Sequence, residues 1–117
     1  FFRMKSVALI LLFSAATLLE AKMQNVTVKG TTICGKNKLG NVLIELYDKD
    51  TIDPDDQLAK VNSNSQGDFI IKGGEDEIGS IEPFIRITHK CKAKAGCSRI
   101  AEFEVPKDKI GGLYDMT

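Results

Sequence analysis

Apolar and polar residues alternate over much of the chain after residue 21, and this alternation predicts β-strands. A period of two held over about four to eight residues is typical of a strand with one buried face. Tyr114 and Met116 begin the pattern once more close to the last residue. Several short strands with brief connections predict an all-β sandwich. The alternation is found in five further segments, at residues 26–34, 42–47, 69–71, 85–90 and 101–105.

Turn-forming residues separate these segments. Proline restricts φ and aspartate side chains bond to nearby amides, so the Asp-Pro-Asp-Asp run at residues 53–56 predicts a turn. Residues 64–67 and the stretch 35–40 predict two further connections. The sequence allows a short helical turn near residues 75–78 or 107–110 and shows no clear longer helix. The predicted fold class is therefore all-β, with at most one short helix.

The first 21 residues have the pattern of a signal peptide. Arg3 and Lys5 precede an apolar run over residues 7–19, and the small residue Ala21 follows. A basic start, an apolar run and a small residue at the cleavage point are typical of secretion signals. The run is shorter than the roughly 20 residues of a spanning helix, and a buried core helix is the alternative interpretation. We expect residues 1–21 to be removed before the rest folds.

The domain that remains is expected to be a single, secreted, extracellular β-domain over residues 22–117. Met4 is the expected initiator, so residues 1–3 would be leader residues that precede the true start. The strand that begins at Tyr114 is interrupted at Thr117, and we expect the complete domain to continue beyond it. A domain of this size buries only about 60–65% of its unfolded surface, so cross-links should matter to its stability.

Charge excludes one class of partner and indicates another. The chain has 16 basic and 16 acidic residues, and without Arg3, Lys5 and Glu20 residues 22–117 keep 14 and 15. This balance gives no overall field that favours nucleic acid. The distribution is nevertheless uneven, because five aspartates crowd residues 48–56 while a basic segment has no acid at all. That basic segment contains Lys90, Lys92, Lys94 and Arg99.

The basic segment is a candidate contact for anionic lipid or polysaccharide. Each basic residue close to an anionic membrane contributes about 1 kcal/mol, so four would give weak binding. A solubilising loop is the alternative. The aspartates of residues 48–56 lack the spacing, the glycine and the final glutamate of an EF-hand loop. We expect them to be solvated turn residues, and we expect no metal and no cofactor.

The three cysteines, Cys34, Cys91 and Cys97, form an odd set for an oxidising compartment. One thiol stays free, or its partner lies on another chain or outside this sequence. Cys91 and Cys97 enclose five residues and can bond if their Cα atoms lie within about 7 Å, so this disulfide is the expected one. The alternative joins Cys34 to either of them. Zinc is not expected, because the paired spacing of zinc ligands is missing.

Two polar residues complete the candidate sites. Asn25-Val26-Thr27 is an N-glycosylation acceptor pattern, so Asn25 is a glycosylation candidate if the domain is secreted. His89 is the single histidine, and no serine or cysteine motif provides it with a nucleophile. It shares a strand face with Ile85 and Ile87, which favours a structural role. No catalytic residue is predicted.

Six short motifs in a fixed order resemble the nematode transthyretin-like family over nearly all of residues 22–117. The motifs are Val28-Lys29-Gly30, Gly40-Asn41-Val42 followed by Glu45-Leu46-Tyr47-Asp48-Lys49-Asp50-Thr51, Asp53-Pro54-Asp55-Asp56, Gly67-Asp68-Phe69, Ile81-Glu82-Pro83-Phe84 and Thr88-His89-Lys90-Cys91. The resemblance implies a secreted Greek-key sandwich of the prealbumin type, without a cofactor. It also implies a further C-terminal segment with a fourth cysteine, to which Cys34 would pair.

The resemblance implies a binding function for the chain, at residues that no motif of the family defines. One studied member bridges phosphatidylserine on dying cells to a phagocyte receptor. We therefore expect an extracellular interaction protein that contacts cell surfaces or anionic lipid. A carrier of a small apolar ligand, in a pocket or dimer channel, is the alternative. The related hydroxyisourate hydrolases need several histidines and a C-terminal Tyr-Arg-Gly-Ser, whereas here Tyr114 precedes Asp-Met-Thr.

Overall fold

Two β-sheets form the domain in the computed structural model, which describes residues 22–117. The predicted leader, residues 1–21, lies outside the described residues. The first sheet has three strands in the order β6-β1-β9 and the second has four in the order β5-β4-β7-β8. A two-stranded hairpin of β2 and β3 stands apart from both. The strands are β1 (Lys22–Thr31), β2 (Ile33–Cys34), β3 (Asn37–Lys38), β4 (Leu43–Asp48), β5 (Asp56–Asn62), β6 (Asp68–Glu77), β7 (Pro83–His89), β8 (Arg99–Glu104) and β9 (Leu113–Asp115).

Burial of one face of each sheet explains the alternation in the sequence. Strand β4 shows it over its full length, with Ile44 and Leu46 buried and Glu45 half-exposed between them. The buried faces of the two sheets meet in one core, and the connections β1–β4, β5–β6, β6–β7 and β8–β9 cross between the sheets. The all-β sandwich predicted from the sequence is confirmed. The core consists of Val26, Val28, Val42, Ile44, Leu46, Phe69, Ile71, Ile85 and Val105.

Strand β5 is an element that the sequence pattern did not reveal. It pairs with β4 along its length, but the register shifts between Leu46 and Tyr47, where a β-bulge lies. A bulge inserts one extra residue and interrupts the period of two. Consequently Leu58, Ala59 and Val61 are all half-buried although they do not alternate strictly. Because the alternation is interrupted, the pattern of apolar residues did not predict a strand at residues 56–62.

Strand β6 is longer than predicted. It continues through Gly73 and Gly74 to Glu77, so the helical turn that the sequence allowed near residues 75–78 does not form. Gly73 allows the two sheets to approach closely, because a Cβ there would lie 2.9 Å from the Leu58 Cβ. The pairing of β6 with β1 continues past the glycines and holds the segment extended. The second candidate helical turn is confirmed as a 3-10 helix at Lys107–Lys109.

No helix among residues 22–117 is long and apolar enough to cross a membrane.

The strand expected at Tyr114 is confirmed as β9, which pairs in parallel with β1.

The register of the strands defines two ends of the sandwich. Strand β4 runs from Leu43, opposite Thr88, to Asp48, opposite Pro83. A strand of this length spans roughly 17 Å. The loops that follow β1 and β7 lie at the Leu43 end, while the β4–β5 and β6–β7 loops lie at the Asp48 end. Segments that are far apart in the sequence therefore meet at each end.

Candidate functional site

A disulfide between Cys34 and Cys91 joins the two loops at the Leu43 end. Their Cα atoms lie 5.6 Å apart, within the range that a disulfide requires. The expected pairing of Cys91 with Cys97 is therefore wrong, and so is the pairing of Cys34 with a cysteine beyond Thr117. The bond links β2 to the segment after β7, across 57 positions of sequence. The observed Cys34–Cys91 bond is one of the two pairings in the alternative prediction, which joined Cys34 to either Cys91 or Cys97.

Cys97 is the unbonded cysteine among residues 22–117, and it is exposed. Two successive turns separate it from Cys91. The amide of Ala93 donates to the Lys90 carbonyl (3.1 Å), and the amide of Cys97 donates to the Lys94 carbonyl (2.9 Å). Cys91 is held instead by its own amide, which donates to His89 Nδ1 at 3.1 Å. The spacing of the cysteines did not predict that Cys97 is unbonded, because Cys91 bonds a residue 57 positions away in the sequence.

The disulfide brings two basic loops together, and we call their six basic side chains the basic end. Residues 32–42 and 88–101 contain no acidic residue, and all six side chains are exposed. Among the described residues, none of the six forms an ion pair. Asp68 begins β6 opposite Thr31 at this end, and its Oδ1 accepts a hydrogen bond from Thr31 Oγ1. The basic end consists of Lys36, Lys38, Lys90, Lys92, Lys94 and Arg99.

Buried polar contacts hold the first of these loops in place. The amide of Thr32 donates to the Gly67 carbonyl (2.8 Å), and the amide of Leu39 donates to the Thr32 carbonyl (2.8 Å). Ser63 Oγ accepts a hydrogen bond from the Val42 amide at 2.9 Å. Gly67 has a φ of +83°, and a Cβ there would lie 2.5 Å from the Thr32 carbonyl oxygen, so the turn requires glycine. The hairpin of β2 and β3 is therefore anchored at its base.

Carboxylates lie inside the opposite end of the sandwich. Asp48 is buried on the inward face of β4, and Glu75 and Glu77 lie on the face of β6 that carries Phe69 and Ile71. One carboxylate oxygen from each of the three acids lies within 4.8 Å of the others. Asp48 was expected to be a solvated turn residue, and this is wrong. Its Oδ1 accepts a hydrogen bond from the Glu82 amide (2.8 Å), which fastens the β6–β7 connection to β4.

Proximity of these acids changes their protonation. The adjacent Asp48 carboxylate, followed by burial and the nearby Asp56, raises the pKa of Glu75 to about 7. The pKa of Glu77 is raised as well, first by Asp48 and then by burial. The Oε2 atoms of Glu75 and Glu77 are buried and lack a hydrogen-bond partner among the described residues. A proton shared with Asp48 would give such an oxygen the partner it lacks.

The remaining aspartates of the β4–β5 loop behave as the sequence predicted. Asp50 Oδ1 accepts hydrogen bonds from the amides of Ile52 (3.1 Å) and Asp53 (3.3 Å), and these bonds lower the pKa of Asp50. Asp55 Oδ1 accepts a hydrogen bond from the Asp50 amide at 2.8 Å. These side chains shape the turn. The eight acids of this region, Asp48, Asp50, Asp53, Asp55, Asp56, Glu75, Asp76 and Glu77, form what we call the acidic end.

The outer face of the four-stranded sheet carries a stacked arrangement of aromatic and charged side chains. The rings of Tyr47 and Phe84 stack with centroids 5.4 Å apart, and the Arg86 guanidinium lies 4.6 Å from the Tyr47 centroid. Arg86 Nε also donates to Glu102 Oε2 at 2.8 Å. An open groove of about 700 Å³ runs past Phe84, Arg86 and Glu102 towards Lys107. Its charged lining differs from the apolar lining typical of a ligand pocket.

The other two candidate residues lie apart from the basic and acidic ends. His89 is half-buried, and its Nδ1 accepts the hydrogen bond from the Cys91 amide, which agrees with the structural role expected for it. Asn25 is exposed on β1, and its side chain lies over the backbone of Gly74. Glycosylation of Asn25 remains a prediction.

Two packed sheets with crossing connections and no long helix among residues 22–117 define the class as a small all-β sandwich domain. A family model described as TTR-52, transthyretin-like family, matches residues 29–106. This match covers more than half of the chain, and the chain therefore belongs to the transthyretin-like family, as its motifs predicted. Similar proteins of Caenorhabditis elegans are named as transthyretin-like proteins and not as enzymes.

Individual relatives agree with this assignment. Transthyretin-like protein 16 of Caenorhabditis elegans is 48% identical over 116 residues, which cover 97% of this chain and 88% of the relative. Transthyretin-like protein 5 of the same organism is 36% identical over 109 residues, which cover 92% and 78%. A solved 9R-lipoxygenase from Cyanothece aligns over 91% of this chain and 19% of its own, with 17% identity and a TM-score of 0.48. A score below 0.5 adds nothing to the assignment.

Proposed function

We propose that this chain is a secreted, non-enzymatic binding protein that contacts anionic lipid surfaces outside the cell through its basic end. The observation that carries the proposal is the Cys34–Cys91 disulfide, which joins two acid-free basic loops into one exposed surface. The sequence by itself offered four basic residues of a single loop. The bonded loop adds Lys36 and Lys38.

The charge arrangement favours a surface over a small ligand. Six exposed cations at about 1 kcal/mol each would provide at most about 6 kcal/mol, which corresponds to a Kd of about 40 μM or weaker. Such affinity is useful where many anionic groups are presented side by side, as in a membrane leaflet. The acidic end lies on the far side of the sandwich and would face away from that leaflet.

The groove beside Arg86 supports an apolar carrier less well. It is open to solvent, and Arg86, Glu102 and Lys107 contribute charge to its lining. A small apolar ligand in the groove would remove water from these charged groups without offering them hydrogen bonds, which costs free energy. The structure therefore supports an apolar carrier less well than it supports binding to an anionic surface.

Sedimentation with vesicles tests the proposed function. Protein lacking residues 1–21 is mixed at physiological salt with vesicles of phosphatidylcholine alone, or of equal parts phosphatidylcholine and phosphatidylserine. We expect recovery with the anionic vesicles only. The double variants Lys92→Glu/Lys94→Glu and Lys36→Glu/Lys38→Glu should each lose most of this binding, because each reverses two charges of one loop.

A charge-matched control separates the basic end from net charge. Lys49→Glu/Lys109→Glu makes the same change of charge at exposed positions outside the basic end and should bind as well as the unaltered chain. Equal recovery with neutral vesicles, or equal loss in this control, would contradict the proposal. Heparin tests the polysaccharide alternative, and preferential binding to heparin over anionic vesicles would also contradict it.

A further inference from the structure

An apolar side chain stands exposed within the basic end. Ile33 lies in β2, directly before Cys34, and 58% of its surface is accessible. Lys36 and Lys38 belong to the same hairpin, and Lys38 is the register partner of Ile33. Paired residues of neighbouring strands project to the same face, so the isoleucine and the lysine stand side by side. Apolar and cationic groups thus share one surface.

The hairpin presents Ile33 away from the body of the domain. Consecutive residues of a strand point to opposite faces. Cys34 is turned towards its disulfide with Cys91, and Thr32 is buried, so Ile33 between them points outward. The base of the hairpin is closed by the Leu39–Thr32 backbone hydrogen bond. Ile33 is therefore held exposed on an anchored element.

Exposure of one isoleucine would by itself be ordinary, because single apolar residues are common on protein surfaces. Its position at the basic end, beside Lys38, makes it informative. Ile100, 65% exposed, follows Arg99 at the same end of the sandwich. A basic surface with protruding apolar side chains matches the interface of an anionic bilayer, where headgroups attract lysines and the acyl boundary accepts apolar groups. Lysine side chains fit such an interface, because their aliphatic carbons can contact the acyl boundary while the ammonium group stays among the headgroups.

We infer that Ile33 enters the interfacial region of an anionic bilayer when the basic end binds it. The inference rests on the proposed function and adds to it a second, apolar contribution. The lysines bring the hairpin to the headgroups, and Ile33 then leaves water at the acyl boundary. Ile52, 91% exposed in the loop of the acidic end, has no such role, because the surrounding aspartates are repelled by the same membrane.

A single tryptophan provides a direct test, because the chain contains none. Ile33→Trp and the control Ile52→Trp are each titrated with vesicles of equal parts phosphatidylcholine and phosphatidylserine. We expect the emission of the tryptophan at position 33 to shift to shorter wavelength and to be quenched by lipids brominated near the headgroup. The tryptophan at position 52 should do neither.

A second pair of variants avoids adding an aromatic group. Ile33→Ser should weaken partitioning into the same vesicles about tenfold, whereas Ile52→Ser should leave it unchanged. Both side chains are exposed, so circular dichroism should show the same fold in all four variants.

The outcomes separate this inference from the proposed function. Charge-dependent sedimentation with no spectral change at position 33, and no loss in Ile33→Ser, would overturn the insertion of Ile33 and leave the lipid-binding function standing. Equal blue shifts at positions 33 and 52 would overturn it as well. Failure of the unaltered chain to sediment with anionic vesicles would remove the proposed function, and the insertion with it.

Discussion

At the scale of single residues, Asp48, Glu75 and Glu77 depart most from what a sandwich core would contain. They occupy inward positions of β4 and β6, directly in line with Leu46 and Ile71. Three ionised carboxylates so close together repel one another, and the interior screens that repulsion less than water does. The arrangement therefore favours a bound proton at neutral pH. It makes the stability of the domain depend on pH in a predictable direction.

Glu75→Gln should stabilise the domain at pH 8 by about 1–2 kcal/mol. This is less than the free energy that corresponds to the whole pKa shift, because the side chain is partly exposed and solvent weakens the repulsion. The folded pKa of Glu75, about 7, exceeds its ordinary value of 4.5, so the folded state binds the additional proton. Stability from this group is complete below pH 4.5 and is lost as the pH rises through 7. The gain in Glu75→Gln should consequently shrink towards pH 4.5. Urea unfolding at pH 5 and pH 8, in EDTA, measures it.

The control for this prediction is Asp76→Asn. Asp76 is the exposed neighbour on the opposite face of β6, so its amide should change the stability little at either pH. A Glu75→Gln variant that is less stable than the unaltered chain at pH 8 would contradict the prediction. So would a difference between the two chains that is the same at both pH values.

At the scale of elements, the Cys34–Cys91 disulfide determines how the two basic loops are related. Neither loop is part of a large sheet, and each contains glycine and few apolar residues. Without the bond, the loops would rely on short turns and the buried contacts of Thr32 and Ser63. The disulfide also restricts the unfolded chain, because it closes a loop of almost 60 residues.

The double variant Cys34→Ser/Cys91→Ser should lose about 2–4 kcal/mol of unfolding free energy, the amount typical for a disulfide that closes a long loop. Cys97→Ser should lie within about 0.5 kcal/mol of the unaltered chain, because its side chain is exposed and unbonded among the described residues. Urea unfolding gives both values. Peptide mapping without reduction should recover Cys34 joined to Cys91, and a Cys91–Cys97 peptide in its place would refute the assignment.

At the scale of the whole molecule, charge is divided between two ends although the net charge is close to zero. The basic end and the acidic end are separated by the length of β4, roughly 17 Å. That distance exceeds the Debye length of about 8 Å at physiological salt, so each end acts largely independently. A small net charge therefore does not prevent strong local attraction at one end.

Vesicle binding should weaken steeply with salt. Raising the ionic strength from 0.1 M to 1 M shortens the Debye length from about 10 Å to about 3 Å, and the attraction of exposed lysines for headgroups should largely disappear. Sedimentation with phosphatidylserine vesicles across this range measures the effect. Binding that persists unchanged at 1 M salt would show that apolar contacts dominate over the basic end.

The sequence by itself determined the fold class, most strands and the family, because burial of one strand face imposes a period of two and turns require particular residues. It did not determine β5, where a bulge breaks that period, or the extension of β6 past Gly73 and Gly74, where pairing with β1 outweighs the glycines. Only the tertiary structure decided that Cys34 bonds Cys91 and that Asp48 meets Glu75 and Glu77. These contacts join segments far apart in the chain, and residue patterns report only neighbours along it. The sequence therefore shows four members of the basic end, Lys90, Lys92, Lys94 and Arg99. The fold adds the other two, Lys36 and Lys38, because the disulfide brings their loop to the first four.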